Sequence, residues 1–369
     1  SAQSAAADRA RIRRQVPHTD TSGRGVLKLH PVELARRRAR CGPMAGLLAQ
    51  KLGDFVQSCN ICGSERSATI SQVDRYGLPS RTAMCLACGL IYQVDRLNDA
   101  DADEFYASGD YRALVSKFTD TGQGIEQNSG DQVRYAHGLI HALSGHLRIG
   151  PKGRLLDIGG GAGRIAFEFQ ELLDMSATVL DPAADEVAAA RRLGMEGITA
   201  SFEEWNPAEE YDLVLLCRSI EHVRNLKAVL AKMRRCLRPQ GYAYCDFVDF
   251  GELCRLVGHP EAVTKIDHCF WLTQQTAGAI FRSAGFEIVS VNLTSPAPLV
   301  GYLLRAAKPT LLTLPQPAEM QTELRQLLRT TSEWNQWAAT SCDSRDWLRR
   351  RAYFVKRRIQ RLFESKPHS

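Results

Sequence analysis

Residues 154–169, R-L-L-D-I-G-G-G-A-G-R-I-A-F-E-F, limit what this chain can fold into more than any other stretch. Arg154 to Ile158 is apolar except for one acid near its end, the pattern of a short buried strand. Gly159, Gly160, Gly161 and Gly163 then make a turn that no side chain obstructs. From Arg164 the apolar spacing becomes helical, with Ile165, Ala166, Phe169 and Leu172 on one stripe. A strand, a glycine turn and a helix make half a βαβ unit, whose open backbone amides and helix N-terminus suit a nucleotide-like ligand. Gly161-x-Gly163-x-x-Ala166 matches the loose dinucleotide fingerprint, but that frame puts Arg164 where the third small residue belongs. Asp157 also argues against a dinucleotide, because a carboxylate beside the turn repels pyrophosphate and suits a cation.

The βαβα alternation continues to about residue 307, which predicts a mostly parallel sheet. Strands are expected at 153–158, 177–181, 197–200, 211–217, 240–248, 286–293 and 299–306. The last two are joined only by residues 294–298, too short for a crossover helix, so they must be antiparallel neighbours. The fold class is α/β, a seven-stranded Rossmann-like sheet with additions at both ends.

Ahead of the sheet stand Cys59-x-x-Cys62-Gly and Cys85-x-x-Cys88-Gly. Each pair reads as a knuckle that turns two thiolates toward one ion, its glycine permitting the tight backbone. Cys59, Cys62, Cys85 and Cys88 together predict a closed structural zinc site, with ribbon strands at 68–73 and 81–83 between the pairs and 90–92 closing the ribbon. Eleven cysteines, an odd number scattered over 369 residues, do not form a disulfide framework and suit a reducing compartment. The first residues have no apolar core, no run is long enough for a membrane helix, and a cytoplasmic protein is expected. The expected units are an N-terminal extension (1–54, with a helix from Pro31 broken near Gly42-Pro43), a zinc ribbon (55–95), a linker and helix (96–150, beginning with an acidic linker at 95–103), a sheet domain (151–307) and a basic amphipathic helical tail (308–369). Net charge is +6 and concentrated in the arginine-rich ends.

The D-x-G-x-G-x-G form at 157–163 resembles the first motif of class I S-adenosylmethionine (SAM) methyltransferases, and a hairpin closing a seven-stranded sheet is similar to theirs. With C-N-I-C-G at 59–63, C-L-A-C-G-L at 85–90, F-Y-A-S-G-D-Y at 105–111, I-E-H-V at 220–223 and D-H-C-F-W-L-T at 267–273, the chain resembles sugar C-methyltransferases of deoxysugar pathways and related enzymes of bacterial surface-polysaccharide clusters. The likeness spans residues 55–307 and implies SAM as cofactor. Asp157, Gly159, Gly161 and Gly163 would form its turn. Asp181, ending the second strand, would accept both ribose hydroxyls. Phe202 would wall the adenine, with Ser201 or Glu203 reading its edge. Cys217 would end the strand where the methyl is delivered. His222 and His268 are the two candidate bases, and Glu221 would orient His222 or touch substrate. Tyr106 and Tyr111 belong to an aromatic cluster, read as interdomain packing or substrate wall.

The resemblance implies a saccharide acceptor. Residues 308–369 stand where sugar C-methyltransferases carry a further α/β domain, which leaves room for a glycan chain or lipid-linked intermediate. A glycosyltransferase or polysaccharide-assembly partner is expected, with the basic tail packing on protein or docking on an anionic inner-membrane face. Two other readings remain: an RNA methyltransferase, against which the chain lacks an N-P-P-Y tetrapeptide and interleaved aromatics, and a SAM-sensing scaffold without catalysis.

Overall fold

The computed structural model describes residues 29–120, 129–207, 210–292 and 298–340. Helix α1 (Pro31–Gln50) starts behind His30, whose ring accepts the Val32 N–H. Its Leu34, Cys41, Ala45 and Leu48 are buried at helical spacing. The break expected at Gly42-Pro43 does not occur. Pro43 lies on the exposed face, so the carbonyl deprived of its donor meets water while the buried stripe carries the helix through.

Strands β1 (Leu52–Phe55), β2 (Ser67–Ser71), β3 (Thr82–Cys85), β4 (Ile91–Gln93) and β5 (Asp95–Leu97) follow, with β1 pairing antiparallel to β5 and β2, β3 and β4 forming an antiparallel ribbon. The acidic stretch at 95–103 is not a linker. Asp95 is held by the Arg81 guanidinium at 2.7 Å, and helix α2 (Asp99–Ala107) begins at once, capped by Asn98. Asp99 and Asp101 sit in its first turn, where the helix dipole favours acids. Helices α3 (Asp110–Thr119) and α4 (Ser129–Leu143) lead into the sheet domain.

That domain runs β6 (Arg154–Ile158), α5 (Arg164–Leu173), β7 (Ser176–Asp181), α6 (Ala184–Arg192), β8 (Glu196–Thr199), β9 (Tyr211–Leu216), α7 (Leu226–Arg235), β10 (Leu237–Val248), α8 (Phe250–Val257), β11 (Phe270–Trp271), α9 (Gln274–Ser283), β12 (Phe286–Val291) and β13 (Leu299–Ala306). The order across its seven-stranded sheet is β12-β13-β10-β9-β6-β7-β8. β13 is antiparallel to β12, as the short 294–298 connection requires, and also to β10 on its other side. Near-continuous apolar runs such as Leu213–Leu216 bury the central strands on both faces.

β11 does not join this sheet. It pairs antiparallel with β4 and becomes the fourth strand of the ribbon, in the order β11-β4-β3-β2. Cys59, Cys85, Cys88 and Tyr92 accordingly share one buried cluster with Phe202, Ile220 and Phe270. The ribbon expected as a separate unit at 55–95 is thus sealed by residues from the sheet domain. The last described element is a single helix, α10 (Pro317–Thr340), whose Trp334 indole N–H reaches the Leu29 carbonyl at 2.8 Å. The basic stretch beyond it, and the first 28 residues, lie outside the described residues. No described helix is long and apolar enough to cross a membrane.

Candidate active site

A cavity of about 950 Å³ opens at the carboxyl ends of β6, β7 and β9, where the strand order reverses. Open α/β sheets bind ligands at such a switch point. Its floor is the glycine turn. Gly161 has φ +55°, and its N–H donates to Asp181 Oδ2 at 2.9 Å, while Asp181 Oδ1 accepts the Ala183 N–H at 2.9 Å. Asp157 lies beneath the turn, 1% exposed, with Oδ2 lacking any hydrogen-bond partner among the described residues. Burial, then the Asp181 charge, pushes the Asp157 carboxyl up to about 7. An orphaned buried carboxylate oxygen beside an open glycine cradle is what a cationic ligand needs, so the residues present fit SAM.

Cys217 and Phe202 also line this cavity. The Phe202 loop is pinned by Lys232, whose ammonium donates to the carbonyls of Phe202, Glu203 and Trp205 at 2.7–2.8 Å. Glu203 spends one oxygen on the Arg224 N–H. Gly159 lines the cavity as well, whereas Gly163 does not. A side chain at Gly163 would meet Met195 Cε at 2.5 Å and Ala190 Cβ at 3.0 Å, so this glycine brings helix and sheet together rather than touching ligand.

Of the two histidines, His222 lines the cavity and His268 does not. Their rings stand edge to face with centroids 4.6 Å apart. His222 Nδ1 lies 2.8 Å from the Asp267 carbonyl oxygen, which only accepts, and 2.9 Å from Tyr106 OH, which can donate or accept; the carbonyl contact favours the tautomer with the proton on Nδ1 and Nε2 as the basic atom. Tyr106 OH donates to the same carbonyl at 3.0 Å, and the Tyr106 and Tyr111 rings pack edge-on to His222. Burial lowers His222 to about 4 and drives His268 well below the usual imidazole range, so both rings are neutral. Glu221 is not a cavity residue. It is buried, with Oε1 accepting the Val248 N–H at 3.1 Å, and its own carbonyl accepts the Cys269 N–H.

In the sequence Asp267 stands within the D-H-C-F-W-L-T motif without a role of its own, and Lys265 is not singled out. The Asp267 carboxylate is fully buried within 3.2 Å of both Tyr76 OH and Lys265 Nζ. Burial raises its pKa, but Lys265, His222 and Arg75 outweigh that and leave it low. His222, Asp267 and His268 bring ligand atoms within 4.8 Å of one another, yet Lys265 already supplies the cation there. Among the described residues the four cysteines form the other such group. Cys59 and Cys88 Sγ atoms are 3.5 Å apart, and Cys62 and Cys85 3.6 Å. A tetrahedron with zinc–sulfur bonds of about 2.3 Å has edges of about 3.8 Å, so the set fits zinc. Gly63 N–H returns to the Cys59 carbonyl and Gly89 N–H to the Cys85 carbonyl, closing both knuckles.

Sheet order, glycine turn and strand-end acids are those of an α/β methyltransferase fold. Residues 129–291 match the family model described as "Methyltransferase domain". Among curated proteins, a ubiquinone biosynthesis O-methyltransferase of Bradyrhizobium sp. (strain ORS 278) is 33% identical over 94 residues, and one of Rhodopseudomonas palustris (strain TIE-1) is 34% identical over 94. Each alignment takes in 24% of this chain and 37% of the relative, so the chain spans little more than a third of the length of the relatives it matches. Among solved structures, a putative S-adenosylmethionine-dependent methyltransferase from Listeria monocytogenes aligns with TM-score 0.39 at 15% identity over 47% of this chain and 100% of that one. A Haloferax volcanii complex of the Trm112 methyltransferase activator with a putative methyltransferase aligns with TM-score 0.43 at 15% identity, over 56% and 99%.

Proposed function

We propose that this protein transfers the methyl group of SAM to a hydroxyl of a saccharide acceptor, with His222 as general base and a structural zinc on Cys59, Cys62, Cys85 and Cys88. Bound SAM supplies an electrophilic methyl on a sulfonium. Gly161 and Asp181 hold its nucleoside side, Phe202 covers the base, and Asp157 offers the compensating charge. The observation that carries the reading is the His222 tautomer. With Nδ1 facing the Asp267 carbonyl, Nε2 is the ring atom left to take a proton from an acceptor in the cavity that His222 lines, and burial keeps the ring unprotonated. Oxygen as the methylated atom is supported by the O-methyltransferase names of the curated relatives. A saccharide is supported by the Tyr106 and Tyr111 rings, which line the same cavity as the carboxylates of Asp99, Asp103 and Asp131 and bring aromatic surface and polar groups to one wall.

The test is label transfer from methyl-labelled SAM to a panel of glycans, lipid-linked saccharides, catechols and RNA, run in parallel with His222→Ala. Label in saccharide hydroxyls that falls on loss of His222 supports the reading. Label confined to catechols or RNA overturns the acceptor, and undiminished turnover in His222→Ala overturns the base.

A further inference from the structure

Five cationic side chains line the cavity, and four are already engaged. Arg96 donates to the carbonyls of Gln93, Arg224 and Cys269, and Lys232 to three more. Arg112 pairs with Glu186 at 2.5 Å, and Arg224 with Asp99 and Asp103. The fifth, Arg218, is exposed in the cavity and its guanidinium has neither an ion pair nor a hydrogen bond among the described residues.

Its placement is built. Arg218 follows β9 with φ +52°, a left-handed conformation uncommon in a side-chain-bearing residue. Its backbone is held there by Asp246, fully buried on β10. Asp246 Oδ1 accepts the Arg218 N–H at 2.7 Å, while Oδ2 accepts Tyr135 OH at 2.5 Å. The Tyr135 ring in turn carries the guanidinium, 5.3 Å from its centroid. One buried carboxylate thus fixes both the backbone and the aromatic platform of a cation whose guanidinium makes no ion pair among the described residues, Asp246 acting on it only at longer range. Such effort is wasted on a solvated surface arginine and expected of a ligand group.

We propose that Arg218 is the docking point for an anionic group, a carboxylate or a phosphate ester, on the acceptor. The saccharide taken would then be acidic or phosphorylated. This rests on the methyl-transfer reading above. The cation beside the donor's turn is Arg112, 3.6 Å from where a Cβ on Gly161 would stand, whereas Arg218 sits at the end of the next strand and leads into the segment that carries His222. A guanidinium suits carboxylate and phosphate alike through paired N–H donors.

The experiment uses the full chain saturated with S-adenosylhomocysteine. Glucose 1-phosphate, glucuronate and glucose are titrated calorimetrically into wild type, Arg218→Gln and Arg218→Lys. The expected result is binding of a charged sugar in clear preference to glucose, about tenfold or more weaker in Arg218→Gln and intermediate in Arg218→Lys, which keeps charge but not the fork. S-adenosylhomocysteine affinity should stay within about twofold in both variants, which also shows that they are folded. The proposal is overturned if neither charged sugar binds better than glucose, if Arg218→Gln binds them as well as wild type does, or if the variant loses S-adenosylhomocysteine in equal measure, which would assign Arg218 to the donor. Failure of wild type to bind S-adenosylhomocysteine is a separate result, which overturns the methyl-transfer reading and this subsite with it.

Discussion

The Cys269 carbonyl oxygen accepts the Gln93 N–H at 3.0 Å and the Arg96 guanidinium at 2.9 Å. Gln93 ends β4 of the cysteine ribbon, and Cys269 follows the Asp267-His268 pair beside the candidate base. The loop that fixes the His222 tautomer is therefore hydrogen-bonded to the ribbon on one side and, through Cys269 N–H, to the Glu221 carbonyl on the other. With His222 as the proposed base, the proposed zinc site on the four cysteines would position it through β4 and this loop.

Removing the metal should consequently damage turnover more than cofactor binding. Cys88→Ser, or chelation of the wild type, is expected to lower kcat by about 100-fold, the cost of displacing a catalytic group by about 1 Å. S-adenosylhomocysteine affinity should change by no more than about threefold, because the glycine turn and Asp181 belong to the other sheet. Metal content, kcat and calorimetric affinity measured on the same samples check this. Parallel loss of both functions would mean that the ribbon supports the whole fold rather than the loop.

The His222 ring predicts an unusual pH profile. Its pKa is lowered to about 4, first by burial, so it remains a competent base far below the ordinary imidazole range. With cofactor and acceptor saturating, kcat should be flat between about pH 6 and pH 8 and fall only as pH approaches 4, provided the protein stays folded. The depressed folded pKa means that stability is lost as pH falls from the unfolded value toward the folded one, so circular dichroism must accompany the rates. His222→Ala should lose about 100- to 10,000-fold in kcat. A wild-type kcat that halves near pH 6.5 would show the ring solvated in the working enzyme.

How much of this was legible in the residues varies with the range of the interaction that decides it. The glycine turn, the strand positions and the closing hairpin follow from local patterns: a glycine run, apolar blocks and one connection too short for a helix. The cysteine knuckles are equally local. What could not be read were pairings distant in sequence. Phe270-Trp271 has only two residues in β11, too few for periodicity, and its partner lies at 91–92. Nothing around Asp246 announces that it holds Tyr135 and Arg218 at once, since those residues are 111 and 28 positions away. The I-E-H-V stretch drew attention to Glu221 and His222 together, but a 3-10 turn from Ile220 to His222 points them apart, one into the cavity and one toward Val248. The acidic run at 95–103 suggested a linker because its charge was legible and the Arg81 partner that orders it was not.

Gly163 tests the division between ligand contact and packing. Its φ of +73° and the 2.5 Å approach of Met195 Cε both penalise a methyl group. Gly163→Ala should destabilise the protein by about 1–3 kcal/mol, read as a lowered thermal midpoint, by the cost of left-handed backbone in a non-glycine residue. The folded fraction should still bind S-adenosylhomocysteine. Gly161→Arg should remove binding outright; its φ of +55° carries the same backbone penalty, but its Cβ position faces the cavity with nothing nearer than 3.5 Å, so no packing clash adds to the loss of midpoint. Equal effects of the two substitutions on binding would place both glycines against the ligand.

Asp157 gives stability and binding pH dependences of opposite sign. Its carboxyl is raised to about 7, first by burial and then by Asp181. In the free protein the folded-state pKa exceeds the unfolded one, so the contribution to stability is complete below the unfolded value and is lost as pH rises through about 7. Asp157→Asn should therefore raise the thermal midpoint of the free protein at about pH 8, where the wild type carries an unpartnered buried charge. A cationic methyl donor needs that charge. Below the folded pKa its binding must first expel a proton, so SAM affinity of the wild type should fall by up to about tenfold per pH unit below 7. Asp157→Asn should bind SAM more weakly at about pH 8 and show a flatter pH dependence. Calorimetric titrations in buffers of different ionisation enthalpy would count the released proton directly, and equal proton release by wild type and variant would remove Asp157 from the donor site.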